Sequence, residues 1–384
     1  MGTCKVCFEP THEFNICTSP VSGYRCDTLS ESLSQPWFPL LLEFCNNCQM
    51  VFYRYIEEAS SYLARLYIEH LSTYHLAPTL DTYLINFTEN IISQFNIRKG
   101  SNVLEIGCND GRLLDAIRKK SGCNVYGIEP SGQFHRQWEQ LQIKVLNDYF
   151  CEKIIHRLKD VEYDLVYFRH VLEHVPDPVS FIENLSEIAS GNTIIVIEVP
   201  YFKTVLDKKR IDNTGYSHLN YFTLTSINNI IRNSGFGIFD FTLADTDGGS
   251  VVVYIRKNHE TPAHFPDSIS LTGIKNFIAH IDEVRMNASM VLSPCLKNEV
   301  IGYGAGAKGQ HLIHLLNLDK FISVVADDTP YLNDKYIPGN GLKILNPANI
   351  DWGKIKCVVN LVPTYPDVIK SKLPPGIKFI DFIN

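Results

Sequence analysis

Residues 101–117, SNVLEIGCNDGRLLDAI, run a short apolar segment (Val103–Ile106) into the loop GCNDG and then straight into a helix beginning near Arg112. Gly107 and Gly111 let the main chain approach a ligand closely, and the free N–H groups of the new helix face whatever sits there. Many nucleotide folds carry such a loop, so its neighbours decide its meaning. CNVYGIEPS is a second strand ending at Glu129, where a carboxylate accepts hydrogen bonds from two adjacent ribose hydroxyls. IKVLNDYF closes a third segment with Asn147 and Asp148, suited to an adenine amino group. YDLVYFRHVLEHVPDP supplies a fourth strand from Leu165, and NTIIVIEVP is apolar and β-branched, as a strand buried on both faces should be. Five strands alternating with helices predict a doubly wound parallel sheet with its ligand at the carboxyl ends.

Four of the eleven cysteines are paired in the sequence, as Cys4–Cys7 in CKVC and Cys45–Cys48 in CNNC. Two C-x2-C turns let four thiolates converge on one ion, and a closed shell of four sulfurs leaves no position for substrate. A structural Zn2+ module is expected. Four unrelated buried cysteines are the plainer alternative; a redox pair lacks the strand-to-helix context. The remaining cysteines are scattered singly, as reduced thiols are inside cells. After this module the chain turns helical, with Tyr74 and His75 in mid-stretch reading as residues that pack a helix end.

Composition narrows the function. With 45% hydrophobic residues over 384 positions, the chain has core enough for two or three domains. A net charge of -7 and a pI near 6.0 give no basic surface for nucleic acid. No apolar run reaches the length of a membrane span and no signal-type segment opens the chain, so a cytoplasmic protein without membrane partners is expected. Near the C-terminus, EVIGYGAGAKGQHLIHLL is strand, glycine loop and helix, with Gly304, Gly306 and Gly309 in G-x-G-x-x-G spacing and Asp327 closing the next strand. That fingerprint invites an NAD reading, but a pyrophosphate cradle for substrate is preferred; a glycine turn needed only for helix packing is the plain alternative.

The ordered set VLEIGCNDGRLL, GIEPS, RHVLEHVPDP, IEVPYF, YSHLNYFTL and DGGSVVVYIRK, between the cysteine pairs and GYGAGAKGQ, resembles the S-adenosylmethionine (SAM) dependent sugar C-methyltransferases. The resemblance covers nearly the whole chain. It implies a class I SAM methyltransferase flanked by a zinc module and a Rossmann-like C-terminal domain, with boundaries at 1–75, 76–258 and 259–384. It further implies methylation of a ring carbon in a nucleotide-linked ketosugar, with TDP as nucleotide, on the way to branched deoxysugars. SAM would be held by Glu105, Gly107, Asn109, Gly111, Glu129, Asn147, Asp148 and Arg169, and substrate by Gly304, Gly306, Lys308, Asp247 and Ser250. A monomer or weak dimer is expected.

An sp3 carbon has no lone pair to offer an electrophilic methyl, so such a reaction needs a base to make an enolate and donors for its oxygen. The resemblance places His218, in GYSHLNYFT, as the base, with His174, Tyr74, Tyr221 and Tyr216 as partners in positioning or enolate stabilisation. By its residues alone His218 reads as readily as a hydrogen-bonded core histidine. Departures from the family pattern cluster near the substrate: Ser217 stands where a glutamate is usual, Asp247 for histidine and Val252 for arginine. Two other classes fit the same residues: an O- or N-methyltransferase of another small molecule, and a non-catalytic SAM and zinc binding module.

Overall fold

The computed structural model describes residues 2–70, 78–246, 248–262 and 265–383. Three sheets organise them. In the first, β1 (His12–Ser19), β2 (Phe38–Phe44) and β3 (Val51–Tyr53) form an antiparallel meander. The second holds β4 (Asn102–Ile106), β5 (Asn124–Ile128), β6 (Lys144–Leu146), β7 (Leu165–Arg169) and β8 (Ile194–Pro200). The short β9 (Asn220–Tyr221) leaves that region of the chain to pair with β3 in the first sheet, Val51 against Tyr221 and Phe52 against Asn220. Two strands that the sequence motifs left unassigned, β10 (Phe236–Ala244) and β11 (Ser250–Lys257), complete the second sheet.

The order β10-β11-β8-β7-β4-β5-β6 is parallel except for β11, which is antiparallel to both neighbours. The expected doubly wound class I methyltransferase sheet is thus mixed: a hairpin turn after β10 brings β11 back against β8. The strand order reverses between β4 and β7, and a crevice opens there at the carboxyl ends. Central strands are buried along their length, which is why they read as unbroken apolar runs.

The third sheet is wholly parallel, in the order β14-β13-β12-β15-β16, from β12 (Val300–Tyr303), β13 (Val324–Ala326), β14 (Lys343–Leu345), β15 (Cys357–Asn360) and β16 (Lys378–Ile380). Its own switch point lies between β12 and β15. The helix Leu271–Leu292 leads into it, capped by the Ser270 hydroxyl, with Ile274, Phe277, Ile281, Val284, Ala288 and Leu292 buried along one face. That face joins a single hydrophobic core shared by the first and third sheets, running from Leu40, Leu42 and Tyr53 to Leu312, Val325 and Ile344. The amino- and carboxyl-terminal regions are therefore packed against each other, and Cys26 and Tyr336 exchange main-chain hydrogen bonds across the contact (3.1 and 2.9 Å). No helix among the described residues is long and apolar enough to cross a membrane.

Candidate active site

The glycine loop after β4 builds the first wall. Gly107 (φ 75°) has its amide 2.7 Å from the Ile128 carbonyl, and a Cβ there would lie 2.5 Å from the Val171 side chain. A residue with a side chain would push the loop into the crevice. Asn109 is left-handed as well (φ 48°), and the helix Arg112–Ser121 starts directly behind Gly111. Glu129 ties the loop down: its two carboxylate oxygens accept from the Asn109 and Ser131 amides, both at 2.9 Å. Burial nonetheless pushes its carboxyl above the usual range.

Glu105, Gly107, Asn109, Glu129 and Arg169 all border one cleft of about 1320 Å3. Gly111 stands behind them, against Trp138 and Ile143. Asn147 and Asp148, expected at the adenine, do not border it. The Asn147 amide instead braces the Glu129 turn by donating to the Glu129 and Pro130 carbonyls (2.8 and 3.0 Å), and Asp148 accepts from the Tyr149 amide. Tyr149, Phe150 and Cys151 occupy that side of the cleft. Arg169 is neutralised by the buried Glu198 and lies over the rings of Tyr83 and Phe87 (5.2 and 5.1 Å). Burial would raise Glu198, but Arg169 and His170 outweigh it and hold this carboxyl far below the usual range.

Glu105 is different. Its carboxylate takes the Tyr167 hydroxyl at 2.8 Å, yet burial pushes it up to about 8. The folded chain then keeps a proton that the unfolded chain has released above about pH 4.5. The resulting stabilisation is complete below that value and is lost as pH rises through about 8. A Glu105→Gln variant is expected to melt close to the wild type at about pH 5 and several degrees above it at about pH 8.5 in ligand-free protein, by calorimetry. Equal differences at both values would refute the assignment.

At the far end of the cleft, His174 sits on a single 3-10 turn after β7, and its Nδ1 lies 2.6 Å from the Ser217 carbonyl. A carbonyl only accepts, so Nδ1 carries the proton and Nε2 is left as the basic nitrogen. His218 packs against it edge to face, with ring centroids 5.0 Å apart. The sequence singled out His218, but of the two rings it is His174 that borders the cleft. Tyr67, which sequence reasoning missed, completes the group. Its hydroxyl donates to the Ser217 carbonyl (2.7 Å) and lies 3.2 Å from His174 Nδ1. In an apolar-periodic helix a tyrosine reads as core, and nothing in its spacing marked it.

Tyr216 and Tyr221 are brought elsewhere. Both are buried in the core shared with the first sheet, and neither borders the cleft. The Tyr216 hydroxyl meets the Ile56 amide (3.0 Å) and the Arg54 carbonyl (3.3 Å), while Tyr221 stacks on Tyr53 and Phe202. Both rings meet Tyr53 of the first sheet. Tyr74 and Asp247 lie outside the described residues. Ser250 is buried at the start of β11, bonded to the Thr246 carbonyl at 3.1 Å, and stands away from the cleft.

The third sheet repeats the carboxylate device of the second. Asp327 follows β13 as Glu129 follows β5, and its oxygens accept from the Ala305 amide of the glycine loop (2.7 Å) and from the Thr329 amide (2.9 Å). Gly304 (φ 113°) packs so tightly on Val362 that a Cβ would lie 2.3 Å from it, whereas Gly306 faces open space. Gly304, Gly306 and Lys308 do not line the large cleft. Thr364 and Tyr365, which leave the carboxyl end of β15 at the neighbouring side of the switch point, do.

The four cysteines converge as their spacing predicts. Cys4 Sγ is 3.4 Å from Cys48 Sγ, Cys7 Sγ is 3.4 Å from Cys45 Sγ, and all four sulfurs lie within 4.8 Å of one another. The two turns are near copies: the amides of Phe8 and Gln49, each left-handed at φ 62° and 59°, donate to the carbonyls of Cys4 and Cys45 (3.0 and 2.9 Å). The hydrogen bond with Cys48 draws the Cys4 thiol down to about 5 and pushes Cys48 up. Inside the first turn, Lys5 Nζ reaches the Pro176 carbonyl (3.1 Å) and Asn220 Oδ1 (3.2 Å). Asn220 in turn donates to the Leu172 and Val175 carbonyls (3.2 and 2.7 Å), so this knuckle is wired to both histidine loops.

Known proteins match this chain in whole or in part. Residues 80–239 match the family described as methyltransferase domain, and residues 245–379 that described as C-methyltransferase C-terminal domain. C-methyltransferase NovU of Streptomyces niveus is 22% identical over 384 aligned residues, which take in 94% of this chain and 90% of that protein. A ubiquinone biosynthesis O-methyltransferase of Coxiella burnetii is 34% identical over 97 residues, 23% of this chain and 39% of that one. Among solved structures, the N-methyltransferase NodS from Bradyrhizobium japonicum in complex with S-adenosyl-L-homocysteine superposes with a TM-score of 0.39 at 14% identity, over 52% of this chain and 98% of that chain. With matches to a methyltransferase domain and a C-methyltransferase C-terminal domain in tandem, the chain is a SAM-dependent methyltransferase enzyme that is similar to C-methyltransferases.

Proposed function

We propose that this enzyme methylates a ring carbon of a nucleotide-linked 4-ketosugar, with TDP the expected nucleotide. The observation that carries the reading is that Thr364 and Tyr365, from the switch point of the third sheet, border the same cleft as Gly107, Glu129 and His174. A ligand seated in the crevice of the third sheet would reach a donor seated in the second. The cleft exceeds the roughly 300–1,000 Å3 of an ordinary small-molecule site, which leaves space for two partners. Arg25, from the first sheet's connecting loop, adds a largely buried cation in electrostatic reach of Asp327 and Tyr331. A diphosphate has use for such a charge.

Glu129 fits the ribose of SAM, and Gly107 lets the loop pass close against Val171 of the cleft wall, where a Cβ would clash. SAM, when bound, supplies an electrophilic methyl group on a sulfonium. The protein must supply the base. His174 Nε2, with its tautomer fixed through Nδ1, accepts the proton from the carbon beside the ketone, and the electron pair left behind moves toward the carbonyl oxygen. His218 and Tyr67 hold that ring in place. Four sulfurs at these spacings fit Zn2+, for which ligands at ~2.3 Å in a tetrahedron lie ~3.8 Å apart. A shell of four cysteines has a structural role.

Mass spectrometry of the protein incubated in D2O with SAM and a panel of TDP- and other nucleotide-linked 4-ketosugars tests this reading. A one-methyl mass gain on the sugar is expected, with deuterium entering the same carbon when S-adenosylhomocysteine replaces SAM. Methyl gain on oxygen or nitrogen, or SAM binding with neither gain nor exchange on any ketosugar, would overturn it.

A further inference from the structure

Glu173, next to His174 on the same turn, is 1% exposed. One of its oxygens, Oε1, lies 3.2 Å from His170 Nδ1; the other, Oε2, is buried without a hydrogen-bond partner. A buried carboxylate oxygen left unbonded is costly, and natural structures keep such groups where they serve a purpose. Its surroundings supply one. Ligating atoms of Glu173, His174 and His218 all lie within 4.8 Å of one another. Behind it the charges are already settled: His170 Nε2 stands 3.4 Å from Glu198, and Glu198 is paired with Arg169. Among the described residues, Tyr67 is a further titratable group in electrostatic reach of this carboxylate, and burial pushes its hydroxyl well above the usual phenol range. The residue immediately before His218 is Ser217, whose carbonyl accepts from Tyr67 and His174.

We infer that Glu173 is a positioning residue for the reaction: the carboxylate that stabilises the imidazolium formed when the His174–His218 pair takes the substrate proton. The inference rests on the base assignment proposed above. The proton moves from carbon to His174 Nε2, and the positive charge created there is balanced by Glu173, which stays unprotonated. His170 fixes the carboxylate through Oε1 and leaves Oε2 for the histidine pair. A carboxylate this close to an imidazole favours its charged form over its neutral one.

The test uses full-length Glu173→Gln, with Glu173→Asp as conservative partner, and S-adenosylhomocysteine binding as the check of folding. Ring 15N resonances of His174 and His218, followed against pH without substrate, are expected to titrate about one unit lower in Glu173→Gln and near the wild-type value in Glu173→Asp. Where the wild type turns over a ketosugar, kcat in Glu173→Gln is expected to fall roughly ten- to a hundredfold, with KM little changed and the acidic limb of the pH profile displaced with the ring titration. Unchanged ring titration in well-folded Glu173→Gln would overturn the inference whatever the substrate. So would stoichiometric Mn2+ binding lost in the same variant, which would make the cluster a metal site. A wild type that titrates as expected but moves no proton from any ketosugar would leave the Glu173 coupling standing and refute the base assignment.

Discussion

Replacing His174 by alanine is expected to lower kcat for methyl transfer by about 10²–10⁴-fold while SAM affinity stays near the wild-type value. The ring borders the cleft, and its Nδ1 is committed to the Ser217 carbonyl, which leaves Nε2 as the proton acceptor. The SAM-side residues Gly107 and Glu129 belong to other loops, so the loss should fall on the chemical step and not on cofactor binding. His218→Ala should cost less, because that ring is not among those that border the cleft. Single-turnover measurements with isothermal titration of SAM separate the two effects. The reverse ranking, with His218→Ala the more damaging, would place the proton acceptor at His218.

Cys45→Ser is expected to release one zinc per chain and to lower kcat by roughly tenfold or more, although the cysteine cluster takes no part in the chemistry. The route is mechanical. The Tyr53 amide donates to the Leu219 carbonyl (2.9 Å), β3 pairs with β9, and Lys5 inside the first knuckle holds Asn220 and Pro176. Once the cluster opens, the segments carrying His218 and His174 lose the edge that places them. Metal content, hydrogen exchange at residues 51–53 and kcat should change together. Metal loss with full activity would mean that the module is independent of the site.

The local devices were legible because each is written in consecutive residues. The C-x2-C turns, the strand–GCNDG–helix unit, Glu129 at a strand end and the glycine fingerprint at Gly304 all depend on backbone geometry over a few positions. Where the sequence reading missed, the cause was long-range. Tyr216 and Tyr221 sit beside His218 in sequence, yet the pull of the shared core turns them away from the cleft, against Tyr53 and Phe202. Asn147 was expected at the adenine; it does not border the cleft, and its amide nitrogen braces the Glu129 turn, a contact no local pattern records. Tyr67 and Glu173 carried no signal of their own, since a helical tyrosine and a glutamate in a turn are ordinary until something distant comes to face them.

By itself, then, the sequence determined that a doubly wound sheet would carry Gly107 and Glu129 at its strand ends, that four thiols would converge, and that a second glycine loop would follow. These are short-range matters of φ, hydrogen-bond supply and hydrophobic period. Only the tertiary structure decided that the amino-terminal sheet and the carboxyl-terminal sheet share one core, that β9 leaves its neighbours to join β3, and that Tyr365 and His174 meet at a single cleft. Such choices are set by which apolar faces remain uncovered after each element has formed. That surplus is settled between residues hundreds of positions apart, where no local pattern records it.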